Sequence, residues 1–536
     1  MSRHPILTGA LLGGITSLPL MGLFYLGNQV AGLPFVPFDL FEWLSRILPG
    51  GVVIYSIEAM VKAIVALRLG AIDSVAKALE QTMAAGLGLV VGILVGICLA
   101  WIIRRASWSG DRIGLAAGVV LLLPTIALEL TQTKMGDPAL GTFWIAVLIV
   151  GWATLLGQRL GGGAKVEGVA AVTDGYQPGR RAALVKIAGW SLVLALASWA
   201  PARFLEEQRR GSGAGRALTG ATSVSPTTVS PTTVSPTPVA QRIEPAPGTR
   251  PEVTPIDSFY RIDIDLAAPT VVGSSWSLDV KGLFDRPRSL TLSDLKAYPA
   301  VTQPITISCI SNPVAGDLIG TGFWTGVRIA GLLNDLGLRP EATELRIEAA
   351  DGFYESVSLA DLQDPRTLLV YGMDGEALPE NHGFPLRIYI PNRYGMKQPK
   401  WITRIEATNK AVPGYWVERG WSREARPQII SVIDTVATDR VVDGKVALGG
   451  IAWAGDRGIQ KVEVQVDDGP WQPATLRLPP VGSLTWVQWR YDWPLATGKH
   501  TFKVRATDGT GAPQIEMEND TFPDGATGYH YLTKTI

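Results

Sequence analysis

The first 200 residues contain five apolar stretches, each long enough to cross the hydrocarbon core of a membrane, which is about 30 Å thick and needs roughly 20 helical residues. These stretches lie near residues 5–27, 84–103, 113–130, 139–157 and 183–200. A chain inside a bilayer must satisfy its backbone hydrogen bonds internally, so such stretches fold as helices. The sequence therefore predicts an α-helical transmembrane anchor of about five spans over residues 1–205.

A sixth apolar stretch, residues 51–69, differs from these five because it carries charge. Glu58, Lys62 and Arg68 put polar groups on part of its helical surface, and several aromatic residues precede it. Such a mixture is typical of segments at the membrane interface. We expect residues 34–80 to lie mostly on or partly in the membrane, and the number of spans stays open between five and six.

Positive charge predicts the orientation of the anchor, because cytoplasmic loops are enriched in Lys and Arg. The basic residues concentrate in the loop between the second and third of the five stretches and in the loop between the fourth and fifth; they are Arg104, Arg105, Arg112, Arg159, Lys165, Arg180, Arg181 and Lys186. Both loops are expected in the cytoplasm. The chain after about residue 200 is then expected outside the cytoplasm, as part of a multi-pass cell-membrane protein.

After the anchor the composition changes twice. Residues 206–255 are rich in Ser, Thr and Pro and have too few large apolar side chains to pack, so they are expected to form an extended tether. Residues 256–425 mix strand-like alternation with short helical patterns, among them an amphipathic segment, Val327 to Leu336, that stops at Gly337. Residues 426–536 alternate strictly and are punctuated by Asp-Gly turns, which predicts an immunoglobulin-like β-sandwich.

Charge and histidine usage restrict the function. Lys plus Arg equals Asp plus Glu, so no net field attracts nucleic acid, and none is expected as a partner. None of the four histidines lies in an apolar stretch, so the anchor offers no histidine pair for a haem. The histidines after residue 255 are not accompanied by a Gly-x-Ser-x-Gly motif or a zinc-ligand pair, which argues against a hydrolase. The anchor is therefore expected to hold the rest of the chain at the membrane.

The chain has two cysteines in contrasting settings. Cys98 lies in an apolar run and is expected to be a packing residue. Cys309 ends a β-type run and directly precedes the turn-forming Ser311, Asn312 and Pro313. A thiolate in such a position is a soft ligand for a redox metal, whereas a buried free cysteine is the alternative that these residues alone leave open.

Three separated motifs resemble the sulfite oxidase family, in its bacterial membrane-anchored branch. The first is the segment around Cys309, from Thr306 to Val327, which resembles the molybdenum-ligand loop of the family. The second, Phe259 to Asp263, lies upstream of it. The third runs from Asp374 through Arg387 to Trp401 and resembles the pterin-binding segment. The strand-rich tail resembles the dimerisation domain of the family, so the resemblance covers about residues 256–536.

The resemblance implies a molybdenum–molybdopterin cofactor in residues 256–425, with Cys309 as the protein ligand of the metal. It implies Cys309, Asp263 and Trp421 as catalytic positions. The positions implied for binding the cofactor are Phe259, Tyr260, Arg261, Asp351, His382, Arg387, Gln398 and Lys400. Arg387 and Lys400 suit the phosphate of the cofactor, because phosphate needs cationic and preferably forked donors.

The sequence departs from sulfite oxidases where those enzymes bind their anionic substrate. Asp263 falls near an arginine of the first motif, Pro313 and Val314 replace arginines after the cysteine, and Trp421 falls near the tyrosine beside the metal. A site without these arginines is expected to favour a neutral substrate, such as a sulfoxide, over sulfite. The chain shows no cytochrome-b5-like haem domain either, so electrons are expected to pass to or from another protein or a small carrier.

Together these expectations describe an enzyme: a membrane-anchored molybdenum oxidoreductase that performs two-electron oxygen-atom transfer outside the cytoplasm. Its expected partners are the lipid bilayer, a small oxo-donor or oxo-acceptor, an external electron-transfer partner and a second copy of the chain. Two alternatives stay open from the sequence. The first is sulfite oxidation proper, and the second is a cofactor-free binding module tethered to the membrane.

Overall fold

The computed structural model describes residues 5–131, 138–161, 188–189, 191–201 and 242–536. Residues 206–241 of the predicted tether, residues 183–187 and 190 of the fifth predicted span, and most of the basic loop before that span lie outside the described residues. Contacts divide the chain into two compact units. Unit 1 comprises residues 1–48, 76–215 and 264–270, and unit 2 comprises residues 49–75, 216–263 and 271–536.

The described part of the N-terminal region is helical. They are α1 (Pro5–Ala31), α2 (Val36–Ile47), α3 (Gly50–Leu67), α4 (Ile72–Arg105), α5 (Gly110–Thr131), α6 (Pro138–Gly161) and α7 (Ser191–Pro201). Among the described residues, five helices have the length and composition to cross a membrane, namely α1, α3, α4, α5 and α6. This agrees with the prediction of a helical membrane anchor.

Helices of unit 1 approach one another closely at glycines. A Cβ atom added at Gly96 on α4 would lie 2.1 Å from the carbonyl oxygen of Gly9 on α1, and one added at Gly157 on α6 would lie 2.3 Å from the carbonyl oxygen of Gly110 on α5. Only glycine permits this backbone contact. Small residues at such crossings are characteristic of helix pairs in membranes, where packing and not the hydrophobic effect drives association.

Residues 264–270 belong to unit 1, although they follow the tether in the chain. The carboxylate of Asp265 is fully buried and pairs with Arg46 of α2 at 3.2 Å. The backbone amide of Leu266 donates to the carboxylate of Glu42 at 2.9 Å, and Lys77 of α4 donates to the Asp265 carbonyl at the same distance. Charged side chains of α2 and α4 thus hold this segment in place.

Unit 2 contains α3, a mixed α/β region and a β-sandwich. The mixed region has the strands β1 (Ser277–Gly282), β2 (Arg288–Thr291), β3 (Ala300–Ser308), β4 (Ile319–Arg328), β5 (Glu344–Ala349), β6 (Tyr354–Ser358), β7 (Leu368–Met373), β8 (Glu376–Ala377), β9 (Arg387–Tyr389) and β10 (Ile402–Thr408). Its helices are α8 (Leu292–Lys296), α9 (Ile329–Asp335) and α10 (Leu359–Gln363).

These ten strands form two sheets. One has the order β2-β1-β10-β5-β6, in which β1 and β10 are parallel and the other pairs are antiparallel. The other has the order β3-β4-β7-β8, with β9 beside β7. Strand β3 pairs with β4 from Ala300 opposite Val327 to Ser308 opposite Ile319, so the loop of this hairpin begins at Cys309. The strand predicted before the cysteine is therefore β3.

The C-terminal strands form a β-sandwich, which agrees with the prediction. They are β11 (Ile430–Val442), β12 (Lys445–Trp453), β13 (Ile459–Val466), β14 (Gln472–Leu476), β15 (Val487–Pro494), β16 (Lys499–Asp508) and β17 (His530–Thr535), in the order β11-β12-β15-β14-β13-β16-β17. Their alternate residues, such as Val462, Val464, Phe502 and Val504, fill the core and are almost completely buried. This is the pattern that the strict alternation predicts.

The end of the predicted tether is packed against the sandwich. Ala246 is buried, and the guanidinium of Arg250 pairs with the carboxylate of Asp434 on β11 at 2.7 Å. The backbone amide of Thr254 donates to the carbonyl of Thr321 on β4 at 2.8 Å. Residues 242–255 are thus held by a few specific contacts, which composition alone does not reveal.

Candidate functional site

Cys309 lies at the start of the β3–β4 loop, in a tightly bonded turn. Its backbone amide donates to the Leu318 carbonyl at 2.9 Å, and the side chain of Asn312 accepts from the Leu318 amide at the same distance. The thiol itself is buried and lies 3.1 Å from the hydroxyl of Ser311. Burial raises the pKa of the thiol, because a thiolate here would lose its hydration. A bound metal cation would supply the missing compensation.

Phe259 and Tyr260 come directly after a short turn at residues 256–258 and stack on each other, with ring centroids 5.6 Å apart. Phe259 also makes edge contacts with Trp324 at 5.4 Å and with His382 at 5.5 Å. It lies over Gly320 of β4, where an added Cβ would meet the ring at 2.8 Å. The glycine therefore lets this aromatic pair lie against the strand that follows the Cys309 loop.

The hydroxyl of Tyr260 lies close to the strand that carries the cysteine. A Cβ added at Gly395 would be 3.1 Å from this hydroxyl and 3.4 Å from the carbonyl of Ser308. Burial raises the pKa of Tyr260 well above its usual value, and the nearby Cys309 raises it further. Tyr260 is therefore a neutral hydrogen-bonding group at the site.

Arg261, Asp263 and Lys400 form a buried ion-pair network. The Asp263 carboxylate, of which 1% is exposed, lies 2.6 Å from Arg261 Nε and 3.3 Å from Lys400 Nζ. The Arg261 backbone amide donates to Asp73 at 2.8 Å, which fixes the chain at this point. Burial lowers the pKa of Lys400 to about 8, against the opposing effect of Asp263. The positive charge of Arg261 is thus paired with the carboxylate of Asp263.

Arg387 differs from its cationic neighbours because no carboxylate pairs with it in the described part of the chain. Its guanidinium is buried, donates to the His382 carbonyl at 3.1 Å and lies over the Trp324 ring at 4.9 Å from the centroid. Its Nε has no hydrogen-bond partner among the described residues. Burial lowers the pKa of Arg387 to about 10. A buried cation of this kind requires an anion, so it provides a binding site for one.

His382 precedes the turn that brings the two cationic residues together. It is buried, and burial together with Lys400 and Arg387 lowers its pKa to about 3, so its ring is neutral at physiological pH. At Gly383, whose φ is +114°, an added Cβ would lie 3.1 Å from the Cβ atoms of both Arg387 and Lys400. A neutral imidazole beside two cations can donate one hydrogen bond and accept another.

The remaining predicted positions lie around this centre. Asp351 is buried, accepts from the Phe353 amide at 3.0 Å, and is close enough to raise the pKa of Lys400. Gln398 is buried and donates to the Arg393 carbonyl at 2.9 Å, while its own carbonyl oxygen has no partner among the described residues. Trp421 instead lies in the buried cluster that contains Ile310, the residue after the cysteine.

A small pocket lies beside the Cys309 loop, and no charged residue lines it. Its lining residues are Ser308, Asn312, Pro313, Val314, Tyr394, Ile430, Trp453 and Ala526. The hydroxyl of Tyr394 already accepts from the Gln428 amide at 3.0 Å, and burial raises the pKa of Tyr394 to about 12. The indole nitrogen of the buried Trp453 has no partner among the described residues. The described residues that line the pocket are therefore uncharged, and two of them, Tyr394 and Trp453, are aromatic.

Several residues contribute to the site without having been predicted as members. Ser311 contacts the thiol, Trp324 supports Arg387, and Gly383 and Gly395 permit the close approaches described above. Ser311 could have been found from its position two residues after the cysteine. Trp324 could not, because its ring reaches the site only through the pairing of β4 with β3 and β7.

Comparison with known proteins identifies the domain that holds this site. Residues 265–416 match the family model described as "Oxidoreductase molybdopterin binding domain". An "Uncharacterized oxidoreductase YuiH" of Bacillus subtilis is 32% identical over 154 residues, which are 29% of this chain and 76% of that protein. A "Putative protein-methionine-sulfoxide reductase subunit YedZ1" of Azospira oryzae is 32% identical over 174 residues, or 32% of this chain and 63% of that protein.

Sulfite oxidases are more distant. The mitochondrial sulfite oxidase of Homo sapiens is 26% identical over 311 residues, which are 49% of this chain and 57% of that protein. The match thus spans less than two thirds of this relative and of the Azospira protein, and more than two thirds of the Bacillus one.

The residues of the site fit the cofactor that the matched domain implies. Arg387 is a buried cation without an anionic partner among the described residues, the neighbouring Lys400 adds positive charge, and His382 adds a neutral donor. Together they suit a phosphate and a pterin. The buried Cys309 thiol suits a soft metal. The protein is an oxidoreductase that uses molybdenum–molybdopterin. The chain therefore belongs to the sulfite oxidase family of molybdopterin-dependent oxidoreductases.

Proposed function

We propose that this protein catalyses two-electron oxygen-atom transfer on a small neutral substrate, such as a sulfoxide, outside the cytoplasm. The observation that carries the proposal is the uncharged, aromatic lining of the pocket beside the Cys309 loop. When bound, the molybdenum centre supplies the exchange of an oxygen atom and two electrons with the substrate. The protein itself binds and orients the reactants.

Each part of the site has a role in this proposal. Cys309 would be the protein ligand of molybdenum, and Arg387 with Lys400 would hold the phosphate. His382, Tyr260 and Gln398 would donate hydrogen bonds to the pterin or accept them from it. Phe259 supports this arrangement, since it packs against both Tyr260 and His382. Asp351 and Asp263 would hold Lys400 in place through their negative charge, and Arg261 would hold Asp263.

The charge of the site argues against sulfite. A divalent anion that leaves water must exchange its hydration for fixed positive groups. The positive charge of Arg261 is already paired with Asp263, and the lining of the pocket near Cys309 includes Pro313 and Val314. A sulfoxide requires only hydrogen-bond donors for its oxygen, and the hydroxyl of Tyr394, which lines the pocket, would be one. Trp421, in the same buried cluster as Tyr394 and Trp453, would limit the size of the substrate.

The proposal also assigns a location and partners. The basic loops of the sequence favour a cytoplasmic side for the C-terminal ends of α4 and α6. The predicted span near residues 183–200 would then carry the chain across the membrane, so residues 242–536 would lie outside. Electrons would come from or go to an external electron-transfer partner. Two copies of the chain would pair through the sandwich, which a size measurement in detergent can test. The Azospira relative, which is 32% identical over 174 residues, is named a putative protein-methionine-sulfoxide reductase subunit. This name supports a sulfoxide as the substrate class.

Steady-state kinetics on the purified full-length protein, with artificial electron carriers, test the substrate class. Methionine sulfoxide and dimethyl sulfoxide would be compared as oxidants, and sulfite as a reductant. We expect a higher kcat/KM for at least one sulfoxide than for sulfite, and little effect of ionic strength on the sulfoxide reaction. A sulfite value well above that of every sulfoxide would refute the proposed substrate and would favour sulfite oxidation.

A further inference from the structure

Helix α3 has the length and composition of a membrane span, yet both of its halves contact other parts of unit 2. Its buried Ile54 belongs to the same cluster as Ile310 and Trp421. At the N-terminus, a Cβ added at Gly50 would lie 3.0 Å from the Cα atom of Arg419. Toward the C-terminus, Lys62 pairs with Asp520 at 2.9 Å. These contacts are spread over about 18 Å of the helix axis, at 1.5 Å per residue.

Such contacts fix the helix along the surface of the rest of unit 2, which contains Cys309 and is called the catalytic unit below. A helix that crossed a bilayer would leave this surface within a turn or two. Both partners of the Lys62–Asp520 pair are more than 60% exposed, so the pair needs water around it. Glu58 lies at the middle of the helix, where true spans rarely carry an ionisable side chain.

The face of α3 that points away from this surface is apolar and uncharged. At the helical period of 3.6 residues, Val52, Tyr55, Ala59, Ala63 and Ala66 share one side, and all five are exposed. Of these, Tyr55 is 74% exposed and Val52 is 48% exposed. Water-soluble surfaces seldom present a continuous apolar stripe of this length, so a partner is expected to cover it.

The position of α3 in the chain indicates which partner this is. Four residues, 68–71, separate it from α4, which is one of the helices able to cross a membrane. Lys62 lies at a border of the apolar stripe, and Arg68 directly follows the helix. Basic side chains in such positions meet lipid headgroups in interfacial helices. A basic border would give no advantage against an apolar protein surface.

We propose that α3 is an interfacial helix of the catalytic unit and does not cross the membrane. Its inner face covers the cluster beside Cys309, and its outer face lies in the boundary between lipid headgroups and acyl chains. The catalytic unit therefore rests directly on the bilayer instead of hanging freely from a tether. Residues 48 and 69, on either side of α3, are on the same side of the membrane.

The side of the membrane can be measured with paired cysteine variants of the full-length protein, in a Cys98→Ala background. Leu48→Cys and Leu69→Cys both replace an exposed leucine that flanks α3. A membrane-impermeant maleimide should label both in intact cells. Trp108→Cys, in the loop between α4 and α5, should label only after permeabilisation, and the background protein reports any labelling of the buried Cys309.

Labelling of the two flanks from opposite sides would overturn the proposal. Labelling of both from the cytoplasm would support the proposal for α3 and refute the orientation under Proposed function.

Depth in the membrane provides a second, independent readout. A fluorophore on Ala59→Cys, in full-length protein reconstituted into vesicles, should be quenched severalfold more strongly by lipids with a nitroxide near the headgroup than by lipids with one near the acyl terminus. Val147→Cys on α6 serves as the deep control, and Asp468→Cys in the sandwich as the unquenched control. Strongest quenching from the acyl terminus would identify a span. No quenching would identify another occupant, such as a second copy. Either result would refute the proposal.

Discussion

At the scale of single residues, the site is defined by charges that its own fold leaves uncompensated. Asp263 neutralises Arg261 and part of the charge of Lys400, whereas the described residues offer Arg387 a carbonyl oxygen and an aromatic face but no carboxylate. In the protein without its cofactor, a buried charge of this kind lowers the stability of the fold. It is therefore explained best by the phosphate that the family's cofactor carries.

Arg387→Ala should lower the affinity for the cofactor roughly 10- to 100-fold, since a hydrogen bond to a charged group contributes about 1.5–3 kcal/mol. Arg387→Lys should restore only part of it, because lysine lacks the forked geometry. Pterin fluorescence after release from the purified protein measures the effect. Arg404→Ala is the matched control, since Arg404 pairs with Asp279 and Glu348 on the surface. Unchanged pterin content in Arg387→Ala would show that the phosphate is held elsewhere.

Lys400 should make cofactor uptake dependent on pH. Its pKa of about 8 means that cofactor-free protein loses this positive charge as the pH rises through 8, so uptake should fall between pH 7 and 9. The free energy of unfolding should change with pH in the opposite direction. Because folding lowers the pKa of Lys400, the charged form of this lysine destabilises the folded protein, and this destabilisation fades as the pH rises from about 8 toward 10.5.

Lys400→Arg is the control for this prediction, because arginine stays charged throughout the range. Its cofactor uptake should vary much less between pH 7 and 9 than that of the wild type. Equal pH dependence in the two proteins would assign the titration to another group.

Sequence reasoning could identify the residue types of the site but not their pairing. Cys309, Arg387 and Lys400 could be proposed from their motifs, since each supplies a chemistry that the cofactor requires. The pairing of Arg261 with Asp263 is a matter of side-chain direction, and the isolation of Arg387 depends on what is absent around it in the described structure. Neither property is encoded in local sequence patterns.

At the scale of secondary-structure elements, a buried ion pair joins the segment before Gln398 to β6. Lys397 lies 2.7 Å from Glu355 and donates to the Ser356 carbonyl at 3.0 Å, and both charged side chains are almost completely buried. Burial raises the pKa of Glu355 even though Lys397 opposes this. The pair fixes the turn that carries Tyr394 and Gly395 beside the cysteine strand.

Glu355→Ala should reduce the stability of the full-length protein by about 3–5 kcal/mol, because it leaves the Lys397 ammonium buried without its partner. The double variant Glu355→Leu with Lys397→Met should recover most of this loss, since it removes both charges. Thermal unfolding of the purified protein compares them. Glu406→Ala, which breaks the exposed pair with Lys281, should change stability by less than about 1 kcal/mol. A double variant as unstable as Glu355→Ala would indicate that packing, not charge, is what matters at this position.

The boundaries of elements were predicted less well than their existence. The helix expected from Val327 to Leu336 begins at Ile329, because Val327 and Arg328 are still paired with Leu369 and Leu368 of β7. Its predicted stop is observed, since Gly337 has a φ of +68°. Apolar periodicity does not distinguish the end of a buried strand from the start of a helix. Only the partner strand decides this.

At the scale of the whole molecule, composition and hydropathy predicted a helical membrane region, a mixed α/β region and a β-sandwich, in the observed order. They could not show that residues 49–75 cluster with the catalytic unit while residues 264–270 cluster with the anchor helices. Such exchange between distant segments depends on a few specific contacts, such as Arg46 with Asp265 and Lys62 with Asp520. Ion pairs between distant segments carry no periodic signal in the sequence.

The proposed function depends on the binding of molybdenum by Cys309 in a site built by unit 2. X-ray absorption at the molybdenum edge, on purified full-length protein, detects this bond. We expect molybdenum in the wild type, with a sulfur shell that loses one ligand in Cys309→Ser and stays unchanged in Cys98→Ser. Cys309→Ser should also lose activity while it retains pterin, since Arg387 and Lys400 remain. Absence of molybdenum from the wild type, or an identical sulfur shell in Cys309→Ser, would contradict the account.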